Sequence, residues 1–147
     1  MAHYADLTSY SYARVESRSV INVGWLERGH EFLSGESPPD FIQRLGAICR
    51  GHQVRKARGW HACSLCDENA SRPNEMDPSR LLGDAEVWVD GGDQVWFAAP
   101  SLVYHYVVTH KYQPPKEFVR AILEGKPLTD TEVETTIVRW WLTAPGQ

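Results

Sequence analysis

The chain has 147 residues, 42% hydrophobic and 23% charged, with six tryptophans, six tyrosines and four phenylalanines. That length suits one domain with a real core, and that composition excludes a wholly disordered chain. A net charge of −4 argues against general nucleic-acid affinity, and no apolar run approaches the ~20 residues that span a bilayer.

The first dozen residues are polar and tyrosine-rich without periodicity, and are expected to lie at the periphery. Residues 13–26 alternate well enough from Val15 to Val23 to predict a strand or a bent pair of strands. After a loop rich in Gly, Ser and Pro, Pro39 opens a helix over about 40–50, with Phe41, Ile42, Leu45, Ile48 and Cys49 as its apolar stripe. Cys49 reads there as a small buried hydrophobe. Arg50, Arg55, Lys56 and Arg58 form the one basic cluster, which reads as a solvated loop before it reads as a phosphate-binding patch. Residues 67–84 are polar and predict an exposed loop. EVWV and QVWFA, joined by Asp90-Gly91-Gly92-Asp93, predict a hairpin. Pro100 starts a helix over 101–112, and Pro114-Pro115 close it. A further helix covers 115–124 and ends at Gly125. Thr129 with Glu132 makes a capping box for a last helix, although TTIVRWWL is also strand-prone.

Three cysteines are an odd number, and two of them sit in a C-x-x-C. In a chain with no basic-then-apolar leader pattern, the expected compartment is the reducing cytoplasm, where such a pair reads as metal or redox chemistry. The segment is Gly59-Trp60-His61-Ala62-Cys63-Ser64-Leu65-Cys66. A tight turn aims both sulfurs at one point about 2.3 Å from each, which is half of a tetrahedral zinc site. His61 shares a face with Cys63 in an extended segment and supplies a third donor.

The fourth donor must come from farther along the chain. A knuckle, then a hairpin, then a helix is the order of treble-clef zinc domains, and His105 lies in the early turns of that helix. His105 and His110 are about 140° apart on an ideal helical wheel, so one metal is not expected to hold both. His110 falls in the middle of the apolar stripe of Leu102, Val103, Tyr106 and Val107, which favours a core role for it and leaves it, or a water, as the alternative fourth ligand. The expected ligands are therefore His61, Cys63, Cys66 and His105.

Rival chemistries fit less well. A thioredoxin-like pair needs a helix N-terminus to lower its thiol pKa, and Asp67-Glu68 directly after Cys66 would oppose a thiolate. A zinc deaminase needs H-x-E followed by P-C-x-x-C, and neither occurs. H-E-x-x-H, G-x-S-x-G and a Gly-rich phosphate loop are absent too.

GWLERGHEFLSGESPPDFIQRL, RGWHACSLC and AAPSLVYHYVVTHKYQPPKEFVRAIL resemble a family of small uncharacterised bacterial proteins. That family carries an H-x-C-x-x-C element and an H-Y-V-x-x-H-x-Y-x-P-P-x-x-F element. The likeness runs over residues 23–123 and implies that the knuckle and the histidine helix form one unit. It implies no activity.

The sequence thus predicts a single α+β domain with a small antiparallel sheet, three or four helices and a treble-clef-like site holding one zinc ion. The expected role is a non-catalytic, zinc-stabilised binding or regulatory module with a protein partner. The alternatives are a zinc enzyme with an open His/Cys/Cys-water site, or a weak nucleic-acid binder through residues 50–58.

Overall fold

The computed structural model describes residues 3–10, 14–15, 18–56, 62–66 and 83–138. In chain order the elements are β1 (Arg14–Val15), β2 (Ser19–Asn22), α1 (Pro39–Gly51), β3 (Glu86–Asp90), β4 (Val95–Pro100), α2 (Val103–His110), α3 (Lys116–Glu124), α4 (Asp130–Thr136) and β5 (Ile137–Val138). The fold is α+β.

The main sheet has three strands in the order β2-β4-β3. β3 and β4 form the expected hairpin, with Val89 opposite Phe97. Its turn holds Gly92, Asp93 and Gln94 at positive φ, and the Gly91 N–H donates to the Val95 carbonyl across it. β2 pairs with β4 in parallel, with Val20 opposite Trp96. The sheet is therefore mixed, which corrects the antiparallel expectation. A hairpin is visible locally, but a parallel pair needs a long crossover. Here that crossover runs through α1 and β3, beyond the reach of short-range patterns.

Side chains alternate across the sheet with period two, and both faces are covered. Val87, Val89, Phe97 and Ala99 join Phe41, Leu45, Tyr106, Phe118 and Ile122 in one core, made with α1, α2 and α3. Trp88, Trp96 and Ala98 join Tyr10, Trp25, Leu128 and Val133 in a second core, closed by α4. Burial on two sides explains the near-continuous apolar runs in β3 and β4.

Both sheet edges are covered as well. Residues 4–10 run beside β2, with hydrogen bonds from Leu7 N to the Asn22 carbonyl, Asn22 N to Thr8 and Tyr10 N to Val20. On the far side, Val54 bridges to Glu86 and Pro127 to Val89. Such cover removes unpaired edges that would otherwise template aggregation. Asp6 anchors the N-terminal segment: one carboxylate oxygen accepts from the Gly24 N–H and the other from the Tyr112 hydroxyl at 2.7 Å.

The Thr129–Glu132 capping box forms as expected at the start of α4. The segment after it divides, because Ile137–Val138 leave the helix and pair with β1. Both readings thus hold in part for TTIV, and residues 139–142 lie outside the described residues. The polar stretch 67–82, expected as a loop, lies outside the described residues.

Gly24, two residues past β2, has φ +78°, and a Cβ there would lie 2.7 Å from a methyl of Val103. Left-handed backbone and close approach both demand glycine. Gly24→Ala is expected to cost about 1–3 kcal/mol, measured as a lower urea midpoint at unchanged slope. An unaltered midpoint would show that the turn tolerates a side chain.

Candidate metal centre

Residues 62–66 form a short turn in which the Cys66 N–H reaches back 3.4 Å to the Cys63 carbonyl. Cys63 is buried, and Leu65 and Cys66 pack against the main core. The opposing wall is α2. Pro100 ends β4 just before it, and Lys111 in the left-handed conformation ends it. Pro114 and Pro115 then prevent any continuation. His105 is the third residue of this helix and is fully buried; His110 is the last and is half-buried.

Four donor atoms, from Cys63, Cys66, His105 and His110, all lie within 4.8 Å of one another, close enough to bind a metal ion. His105 Nε2 is 3.1 Å from Cys66 Sγ, and His110 Nε2 is 3.4 Å from Cys63 Sγ and 3.5 Å from Cys66 Sγ. Metal–sulfur bonds of about 2.3 Å and metal–nitrogen bonds of about 2.0–2.1 Å give a tetrahedron with sulfur–nitrogen edges of about 3.5 Å. Three of the sulfur–nitrogen separations, 3.1, 3.4 and 3.5 Å, lie close to that edge.

Of the expected ligands, Cys63, Cys66 and His105 come together, and His61 lies outside the described residues. The core role favoured for His110 is corrected, as is the expectation that the two histidines could not converge. Their ring centroids are 5.1 Å apart. Wheel angles are drawn at the axis, whereas imidazoles reach far from it and lean across the interval. The end of the helix also departs from α geometry. The Lys111 and Tyr112 N–H groups both donate to the Tyr106 carbonyl, five and six residues back rather than four.

Two supporting residues escaped sequence reasoning. Thr109 Oγ1 lies 3.3 Å from His105 Nδ1. A hydroxyl there suits the tautomer that carries its proton on Nδ1 and leaves Nε2 free for a metal. The spacing of four along the helix was a usable signal. Arg28 lies on the loop after β2. Its backbone N–H donates to Ser64 Oγ at 2.9 Å, its Nε to the Ser64 carbonyl at 2.7 Å and an Nη to the Cys66 carbonyl at 2.7 Å. No local pattern announces a contact between residues 36–38 positions apart.

Burial pushes the Cys63 thiol up to about 11, with the Cys66 sulfur adding to the effect, while N–H groups of Leu65 and Cys66 pull it down. Among the described residues, 62–66 form a turn and no helix begins at the pair. Redox pairs of the thioredoxin type need the opposite, a depressed pKa at a helix N-terminus. A bound cation would reverse the balance, since metal coordination deprotonates thiols outright. Cys49 is fully buried in the core as expected, and burial drives its thiol to about 12.

The basic cluster is engaged with acidic neighbours. Arg55 approaches Glu86 and Glu134, and its N–H donates to Asp130, while Lys56 Nζ lies 3.5 Å from Asp84. The Arg50 guanidinium sits over the Tyr104 ring, and Arg58 lies outside the described residues. Among the described residues no helix is long and apolar enough to cross a membrane.

Cys63→Ser and Cys66→Ser are expected to abolish metal binding. Cys49→Ala should keep it, at a packing cost of about 1–2 kcal/mol or less. Metal analysis of the three purified variants checks this, and loss of metal from the Cys49 variant alone would refute it.

No match was found among curated proteins or among solved structures. The family model described as Domain of unknown function (DUF7919) matches residues 2–123, a span that holds the knuckle, the hairpin and α2 and leaves out α4 and β5. With most of its length matched, including all four donors, the chain belongs to the Domain of unknown function (DUF7919) family.

Proposed function

We propose that this chain is a non-catalytic binding or regulatory module, stabilised by one structural zinc ion and acting through contacts with a protein partner. The observation that carries the reading is the S₂N₂ donor set of Cys63, Cys66, His105 and His110, whose donor atoms all lie within 4.8 Å of one another. Two thiolates with two imidazoles suit zinc, and four protein ligands leave no corner for a reacting water. The order of knuckle, hairpin and helix is treble-clef-like, with the departure that the histidines come from opposite ends of one helix. The engaged state of Arg50, Arg55 and Lys56 counts against the nucleic-acid reading.

An open-site zinc enzyme is the second reading, and the half-buried His110 is what favours it. Of the two histidines it is the one nearer solvent and the more readily replaced by water or substrate. His61 is the rival for that corner.

The purified chain should carry one zinc per molecule, and chelation should lower its thermal midpoint. A ligand at a thousandfold excess over its Kd contributes about 4 kcal/mol to stability. His105→Ala and His110→Ala should each lose zinc, and His61→Ala should keep a full equivalent. Loss from the His61 variant with retention by the His110 variant would give the fourth corner to His61. Full retention by both His61→Ala and His110→Ala would favour the open site. Absence of any transition metal from protein purified without chelator would defeat the whole reading.

A further inference from the structure

We infer that Arg28 is the positioning residue of the metal centre: it fixes the Ser64–Leu65 peptide so that the Leu65 N–H is presented to the Cys63 sulfur. The inference rests on the zinc reading above and extends it to a residue outside the donor set.

The backbone carrying Arg28 is held from within. Val23, Gly24, Trp25 and Leu26 are all buried, and the Trp25 Nε1–H donates to the Ala98 carbonyl in β4. Two residues on, Arg28 reaches the surface and spends its donors on the knuckle, on Ser64 Oγ and on the Ser64 and Cys66 carbonyls. A trans peptide is planar, and its carbonyl oxygen and the following N–H point in opposite directions. The Ser64 carbonyl and the Leu65 N–H belong to one such peptide. Holding the oxygen toward Arg28 Nε therefore turns the N–H toward the other side, where it donates to the Cys63 sulfur. A donor held on the sulfur also fixes the direction from which a metal can approach it, which is how an outer partner orients a ligand.

Charge and geometry can be separated. Two thiolates, two neutral imidazoles and a divalent cation sum to zero, so the centre does not call for a counter-charge from Arg28. A planar guanidinium can serve two carbonyls at once from a rigid fork; a lysine keeps the charge and lacks the fork. Both Arg28→Met and Arg28→Lys should therefore loosen the site. Losing an outer partner of a metal ligand costs 10- to 100-fold in affinity as a rule. Arg28 is exposed, so the expected loss is about tenfold, the lower end of that range.

The experiment is zinc competition against a chromophoric chelator on the full chain, for wild type and both variants. Cobalt(II) spectra accompany it, since the sulfur-to-metal charge-transfer band reports the N–H donation to sulfur. A role confined to general stability would leave that band in place once the site is filled. The inference expects weaker zinc binding and a shifted band in both variants. Wild-type affinity with an unshifted band in Arg28→Lys overturns it, and that variant decides the matter alone should Arg28→Met fail to fold. A wild-type chain that takes up no zinc overturns the zinc reading and this inference together. Normal zinc in all three proteins overturns this inference only.

Discussion

β4 is the constraint on which the rest depends. It is hydrogen-bonded along both edges, to β2 and to β3, and covered on both faces by separate cores. No residue of such a strand faces water cheaply, so Trp96, Phe97, Ala98 and Ala99 are all buried. Each flanking layer is then placed by its need to cover one side. α1, α2 and α3 take the Phe97 and Ala99 face; α4 and the N-terminal segment take the Trp96 and Ala98 face. α2 follows β4 after two residues, so the position of the histidine helix is set by the sheet rather than by the knuckle it meets.

That arrangement makes sense of a fully buried imidazole. His105 is one of three fully or nearly fully buried polar side chains among the described residues, with Asn22 and Ser101. A buried polar group must be paired or it costs stability. The Asn22 side-chain nitrogen donates to Thr8 Oγ1 and to the Ser9 carbonyl, and the Ser101 backbone N–H donates to the Ala85 carbonyl. His105 instead presents Nε2 to a sulfur from a segment 39 residues away and Nδ1 toward Thr109. Weak sulfur contacts are a poor reason to bury an imidazole between two thiols. A shared cation is a good one, because it repays the desolvation of every donor at once.

Much of the fold was legible in the sequence. The hairpin was announced by Asp90-Gly91-Gly92-Asp93 between two β-rich runs, α1 by Pro39 and its stripe, and α4 by Thr129 and Glu132. These signals are local, and local signals survive folding when tertiary contacts agree with them. The parallel β2–β4 pairing was hidden because it joins segments separated by α1 and β3. At the site, residue type and spacing picked out Cys63 and Cys66, and the order of elements picked out His105. The approach of His110 to the two sulfurs was hidden because a helical wheel records directions from the axis and ignores side-chain reach. Arg28 carried no mark at all, since an arginine before Gly29 in a polar loop resembles any solvated cation.

The two ends of α2 show how the fold and the site constrain one another. At its start, Val103 packs against Gly24 so closely that a single methyl would collide. Just past its end, Tyr112 is fully buried and its hydroxyl binds Asp6, whose other oxygen holds the Gly24 N–H. Both ends are thus tied to one turn, the one that leads through Trp25 and Leu26 to Arg28. Arg28 in turn grips the knuckle that faces His105 and His110. The helix, the turn and the knuckle form a closed circuit of contacts around the four donors. The donors are held at their separations from both sides, by the helix directly and by the knuckle through the loop.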